Sequence, residues 1–186
     1  MTPAVCIGIA VLLMEIRAQY LCIPGRGWKL LIFFTQLSNY MTCISTAALL
    51  IATASPLVTA LRYLAVCMMV MTFLVTTCVL VPMGGDPKEL LWTEPGIYLH
   101  IFCPVLTVLS YFLFEHHAGW NLFWLPVTVT LVYGLVMLLL NASRKVDGPY
   151  PFFKVHNQSA AATVMWILIL TGVISGTAAL VILLSA

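Results

Sequence analysis

Two side chains in this sequence have types and positions that could do chemistry together. Thr35 lies in "FFTQLSN" and His100 in "IYLHIFCP", both inside long apolar runs. A threonine hydroxyl is a weak nucleophile alone, but a histidine can take its proton as it attacks an acyl carbon. An ionisable group inside an apolar run is costly to bury, so it reads as functional by default. Thr35 is seven residues past Trp28 and His100 eight past Trp92. At about 1.5 Å per helical residue, both would sit roughly 10–12 Å below the same surface. Asn39, one turn past Thr35, is a candidate oxyanion donor, and Gln36, Ser38 and Tyr98 are further polar contacts. Glu15 and Arg17 fall near the same face by depth, with Glu15 the nearest candidate third member. Tyr133 and His156 are possible supporting groups.

Each assignment has a competitor. Cys103 is three residues after His100. A thiolate is the better nucleophile, but neighbours on one helix rarely face each other for attack. Ser38, Thr42, Ser45 and Thr46 equally fit helix-packing positions, where small side chains let backbones approach. His116 and His117 are adjacent and diverge on a helix. With His156 they make dispersed histidines, not a zinc pattern, so no metal and no cofactor is expected. Pro104 cannot bond the carbonyl of His100 and should kink the helix there.

The elements that must carry these residues are membrane helices. Of 186 residues, 62% are hydrophobic and only 8% charged; a soluble domain carries about 25% charge. Six runs approach the ~20 residues a bilayer crossing takes. They cover approximately 3–23, 28–54, 60–83, 92–114, 120–141 and 160–185. Turn chemistry separates them: "PGRG", "SP", "GGDPKE", "EHHAG" and "SRKVDGPYPF". The expected fold is all-α, a polytopic membrane protein with six transmembrane helices in one bundle spanning 1–186. Trp28, Trp92 and Trp120 suit interfacial anchors. The first, third and fifth loops hold Arg26, Lys29, Lys88, Arg144, Lys145 and Lys154, against Arg62 on the other side. The positive-inside rule puts those odd-numbered loops in the cytoplasm. A net charge of +2 without a basic cluster argues against a nucleic-acid partner. The six cysteines include no C-x-x-C pair, which leaves no disulfide framework or zinc module to read. The N-terminal run lacks a basic n-region and is broken by Glu15, so it reads as a retained first span.

Four motifs in order carry a family resemblance: "GRGWKLLIFFTQLSN", "IYLHIFCP", "FEHH" and "YPFF". Together the chain resembles the androgen-induced-gene / androgen-dependent TFPI-regulating protein family of six-span membrane hydrolases, as a bacterial relative in the cytoplasmic membrane. The resemblance implies cleavage of fatty acid esters of hydroxy fatty acids by a threonine and a histidine, here Thr35 and His100. The implied partners are a lipid or fatty-acyl ester and the bilayer. A non-catalytic lipid-binding or transport protein is the alternative reading, and a structural subunit of a membrane complex a third.

Overall fold

The computed structural model describes residues 3–52, 55–115 and 117–185. Two sequence expectations, the end of the second run at 54 and the histidine at 116, lie outside these residues. The described residues are mostly helical, with no β-strand among them. Six α-helices lie among the described residues: α1 (Pro3–Arg26), α2 (Phe34–Ile51), α3 (Pro56–Val75), α4 (Cys103–Phe114), α5 (Trp124–Ala142) and α6 (Ala160–Ser185).

The central element is α3. Every residue from Arg62 to Met69 is buried, so the middle of this helix is enclosed on all sides. Around it pack α2, α4, α5 and α6, while α1 covers α2 and α4 from outside. Tyr63 donates its hydroxyl to the Ala178 carbonyl at 3.2 Å and fixes α3 against α6. The outer faces of the bundle are apolar: Leu13, Ile16, Leu113, Leu139, Leu168 and Leu183 are all exposed. Such a surface suits lipid, not water.

Among the described residues, four helical stretches are long and apolar enough to cross a membrane: Pro3–Ile32, Pro56–Leu80, Trp120–Ala142 and Ala160–Ser185. This fits an all-α multi-pass membrane protein but not the expected count of six. The other two runs fall short for separate reasons. The second does not start at Trp28. Gly27 adopts φ 51°, a left-handed conformation that suits glycine, and residues Gly27–Ile32 form a 3₁₀ stretch. The helix proper begins at Phe34 and carries nine buried residues, seven of them polar. The fourth run is interrupted. A wide turn covers Lys88–Trp92, a bend with a cis Glu94–Pro95 bond follows, and the continuous helix is only Tyr98–Phe114. Depths counted from Trp28 and Trp92 therefore do not apply. Thr35 sits in the first turn of α2, and His100 lies in a separate wide turn just before α4.

The buried polar stripe of α2 is more than packing. Arg62 of α3 donates bidentately to Glu115, at 2.7 and 2.8 Å, with both side chains almost fully buried. Its remaining terminal nitrogen donates to Ser45 at 3.4 Å and to Thr46 at 2.8 Å, and Ser110 donates to Glu115 at 2.6 Å. The network joins α2, α3 and the end of α4 with its charges and acceptors matched, as a buried ion pair requires.

Candidate active site at the head of α2

Phe33 is extended and no side chain caps α2 among the described residues; the Gln36 and Leu37 N–H groups reach the Phe33 carbonyl, so the N–H groups before them need partners from elsewhere. One comes from Tyr150. Its hydroxyl accepts the Thr35 N–H at 3.2 Å and lies 3.4 Å from Thr35 Oγ1. Burial pushes the Tyr150 phenol above its ordinary range, partly offset by these Thr35 contacts, so it keeps its proton.

Tyr150 reaches this place because the α5–α6 loop folds back into the bundle. Gly148 makes that possible: a Cβ there would lie 2.8 Å from the Phe153 backbone. Asn141 stitches the loop, donating to the Val146 carbonyl at 3.1 Å and accepting the Val155 N–H at 2.9 Å. Gln158 donates to the Phe152 carbonyl at 3.0 Å. Tyr150 stacks on Phe152 at 5.2 Å, and Phe152 meets Trp166 of α6 at 5.6 Å.

These aromatics wall a cavity of about 290 Å³ bounded by α2, α3, α5 and α6, a volume near the small end of ligand pockets. Its polar points are few. Thr35 and Tyr150 share one wall, with Thr72, Thr76 and Thr130 elsewhere in the lining. The Thr130 hydroxyl is buried and has no hydrogen-bond partner among the described residues. Leu131, Leu135 and Ile167 line the cavity and are exposed on the bundle's outer face. The cavity therefore opens sideways between α5 and α6, toward the region lipid would occupy.

His100 is held beside this region, not in the cavity lining. Its Nδ1 lies 2.8 Å from the Leu90 carbonyl. A carbonyl only accepts, so Nδ1 carries the proton and the neutral ring presents Nε2 as its basic nitrogen. Gly96 makes the approach possible, since a Cβ there would lie 2.5 Å from the Glu89 oxygen and 2.6 Å from the Leu90 oxygen. The turn Tyr98–Phe102 is wide, with the Cys103 N–H reaching back to the Tyr98 carbonyl. It widens where Pro104 removes the donor that would have bonded His100.

Asn39 links the two halves. Its amide donates to the Thr35 carbonyl at 2.6 Å and to the Leu99 carbonyl at 3.4 Å. Those two distances place the carbonyls of Thr35 and of the residue before His100 within about 6 Å of each other. No hydrogen bond joins Thr35 to His100 among the described residues.

The other sequence candidates disperse. Because Asn39 spends its amide hydrogens on backbone carbonyls, it positions α2 against the His100 turn instead of facing the cavity. Ser38 donates to the Thr35 carbonyl and meets the cavity-lining Thr72 hydroxyl, both at 2.8 Å. Gln36 turns to α1, its amide 3.6 Å from Cys22 Sγ. Tyr98 and Arg17 both bind Glu94, at 2.8 and 3.0 Å, on the exposed surface. Tyr133 lines the cavity, and its hydroxyl donates to the Ile32 carbonyl at 2.7 Å. His156 donates from Nε2 to the Asn141 carbonyl at 3.1 Å and braces the loop. Glu15 is fully buried in α1, against α4. Cys103 is buried, and His117 Nε2 donates to the Tyr111 carbonyl at 3.0 Å. No group of three His, Cys, Asp or Glu able to hold a metal occurs among the described residues.

Tyr150 is a functional candidate that the spacing of polar residues within the apolar runs does not reveal, because it lies in a loop. Its signal was present: three aromatics within "YPFF" in a segment otherwise composed as a polar loop. A loop so apolar has to be covered by something.

Compared with known proteins, the chain matches no family model, no curated protein and no solved structure.

Proposed function

We propose that this protein is an intramembrane hydrolase of lipid carboxylic esters, of the kind that joins a fatty acid to a hydroxy fatty acid. The observation that carries the reading is a threonine hydroxyl in the first turn of a helix, on the wall of an apolar cavity that opens toward lipid. The acyl chain lies in the cavity with its ester carbonyl at Thr35. Thr35 Oγ attacks the carbonyl carbon while its proton passes to His100 Nε2, directly or through one water. The Tyr150 hydroxyl stabilises the oxyanion, in the field of the α2 N-terminus. The leaving alkoxide takes the proton from His100. Water then attacks the acyl-threonine, returning its proton to Thr35 and releasing the fatty acid. In this reading α2 and the 98–114 helix also cross the bilayer, giving six crossings. The basic odd-numbered loops then face the cytoplasm of a bacterial cell. The similarity of four motifs to the androgen-induced-gene family supports the same activity.

The missing hydrogen bond between Thr35 and His100 favours a second reading, a protein that binds lipid in the same cavity without cleaving it. Purified protein in detergent, given medium- and long-chain acyl esters, separates the two. Turnover lost in both Thr35→Ala and His100→Ala supports the hydrolase. Saturable lipid binding without turnover, and without acylation of Thr35 by a reactive acyl probe, supports the binder.

A further inference from the structure

On the face of the bundle away from the cavity lies a second polar site that the proposed hydrolysis does not use. Glu15 of α1 is fully buried, and neither carboxylate oxygen has a hydrogen-bond partner among the described residues. Gln19 Oε1 and Nε2, Gln36 Oε1, Asn39 Oδ1 and Thr42 Oγ1 are buried without partners as well. Buried polar atoms are nearly always matched, so this many in one helix interface point to something that binds there.

The helix register brings them together. A Cβ on Gly8 would touch Thr46 and Leu50, and Gln36 meets Cys22. α1 and α2 thus run antiparallel, with residue 8 beside 46–50 and residue 22 beside 36. Between these fixed points, Gln19 falls level with Asn39, and Glu15 falls level with Thr42 and Cys43. The third wall is the 99–103 turn, through the bond from Asn39 to the Leu99 carbonyl and through Cys103, whose thiol faces Glu15 without a hydrogen bond of ordinary geometry.

The donor set selects the ligand. Every unmatched atom in the group except Gln19 Nε2 is an oxygen, which suits a hard cation, not a transition metal. The group holds a single carboxylate. Arg17, two residues along, points away to Glu94 on the surface, so no side-chain cation among the described residues neutralises Glu15. A bare buried carboxylate is strongly unfavourable, and either a proton or one cation neutralises it; the further acceptor oxygens left unmatched around Glu15, which a proton would not satisfy, favour the cation. Divalent ions favour more anionic or more regular oxygen shells than one carboxylate with neutral amides and a hydroxyl. We infer that Glu15, Gln19, Asn39 and Thr42 form a buried sodium-ion site that clasps α1 to α2.

The test uses the full chain purified in detergent without added sodium, and it is independent of any hydrolytic activity. Thermal unfolding is followed in sodium chloride and in choline chloride at equal ionic strength. Sodium at about a hundred times its Kd is expected to raise Tm by roughly 5–10 °C over choline. Glu15→Gln replaces the carboxylate by a neutral group of the same shape and should abolish that difference. Gln19→Met, which removes one ligand at similar volume, should reduce it and serves if the first variant does not fold. Equal Tm in the two salts for the wild-type chain, or a sodium effect undiminished in the variants, overturns the site.

Discussion

Replacing Tyr150 by phenylalanine tests the catalytic geometry most directly, because it removes one oxygen and leaves the ring. The ring contacts remain: the stack on Phe152 at 5.2 Å, the edge contact to Phe33 at 6.2 Å and the tilted contact to Phe153 at 6.1 Å. What disappears is the acceptor for the Thr35 N–H and the neighbour of Thr35 Oγ1. Stability should fall by about 1–3 kcal/mol, the cost of a buried donor left unmatched. For a chain of this length that lowers Tm by roughly 2–12 °C. The effect on catalysis is larger. Loss of one oxyanion donor costs about 10²–10³ in kcat, while KM for an acyl ester should hardly change, because the apolar walls that bind the chain are intact.

The assay is steady-state hydrolysis of an acyl ester in mixed micelles, with kcat and KM separated, beside unfolding of the same preparations. Burial holds the Tyr150 proton on at ordinary pH, so the wild-type donor is not lost as pH rises toward about 10, the usual phenol value. A kcat within about threefold of wild type in Tyr150→Phe, together with an inactive Thr35→Ala, would refute the oxyanion role alone. Full activity in Thr35→Ala would remove the nucleophile and with it the whole mechanism.

Arg62→Ala should cost about 3–5 kcal/mol, because it strands the buried Glu115 carboxylate; the double change Arg62→Met with Glu115→Leu should recover much of that loss by thermal unfolding. Gly96→Ala must displace the Leu90 carbonyl, 2.6 Å from the new Cβ, and with it the acceptor that orients His100. Turnover should fall by about a hundredfold, the scale of a misplaced catalytic group, with Tm as the control for misfolding. Gly134 lines the cavity, and a Cβ added there would meet no heavy atom within 4 Å among the described residues. Gly134→Leu should therefore raise KM for long acyl chains and spare short ones, read from a chain-length series.

Legibility from sequence followed the strength of the local signal. The helical class, the membrane-facing surface and the four longest crossings could be read from composition, since lipid leaves long apolar runs little alternative to helix. Pro104 marks where the helix ladder breaks at His100, but the wide form the turn takes there is not in the sequence signal. Boundaries were harder to read because they depend on backbone detail. An extended Phe33 and the bend around Pro95 convert two apparent crossings into interrupted ones, although apolar residues run through both. The stripe on α2 could be found by its spacing, but its partners could not. That Ser45 and Thr46 answer Arg62, and that Thr35 answers Tyr150, are long-range facts no helical periodicity encodes.

The two faces of α2 also explain why so polar a helix is kept inside an apolar bundle. Toward α3 and the α5–α6 loop it presents Thr35 and Ser38, which meet Tyr150 and Thr72. Toward α1 it presents Gln36 and Asn39, with Thr42 also left unmatched among the described residues. Asn39 belongs to both sides, since its amide holds the Thr35 and Leu99 carbonyls while its oxygen is left free. A charge bound at Glu15 would therefore act on the residue that fixes Thr35 relative to the His100 turn. If both proposals hold, sodium should alter kcat through Asn39, and Gln19→Met, which weakens the sodium site from α1 and leaves the Asn39 bonds to the Thr35 and Leu99 carbonyls untouched, should weaken that dependence. A sodium effect on stability with none on kcat would show the two faces to be energetically separate.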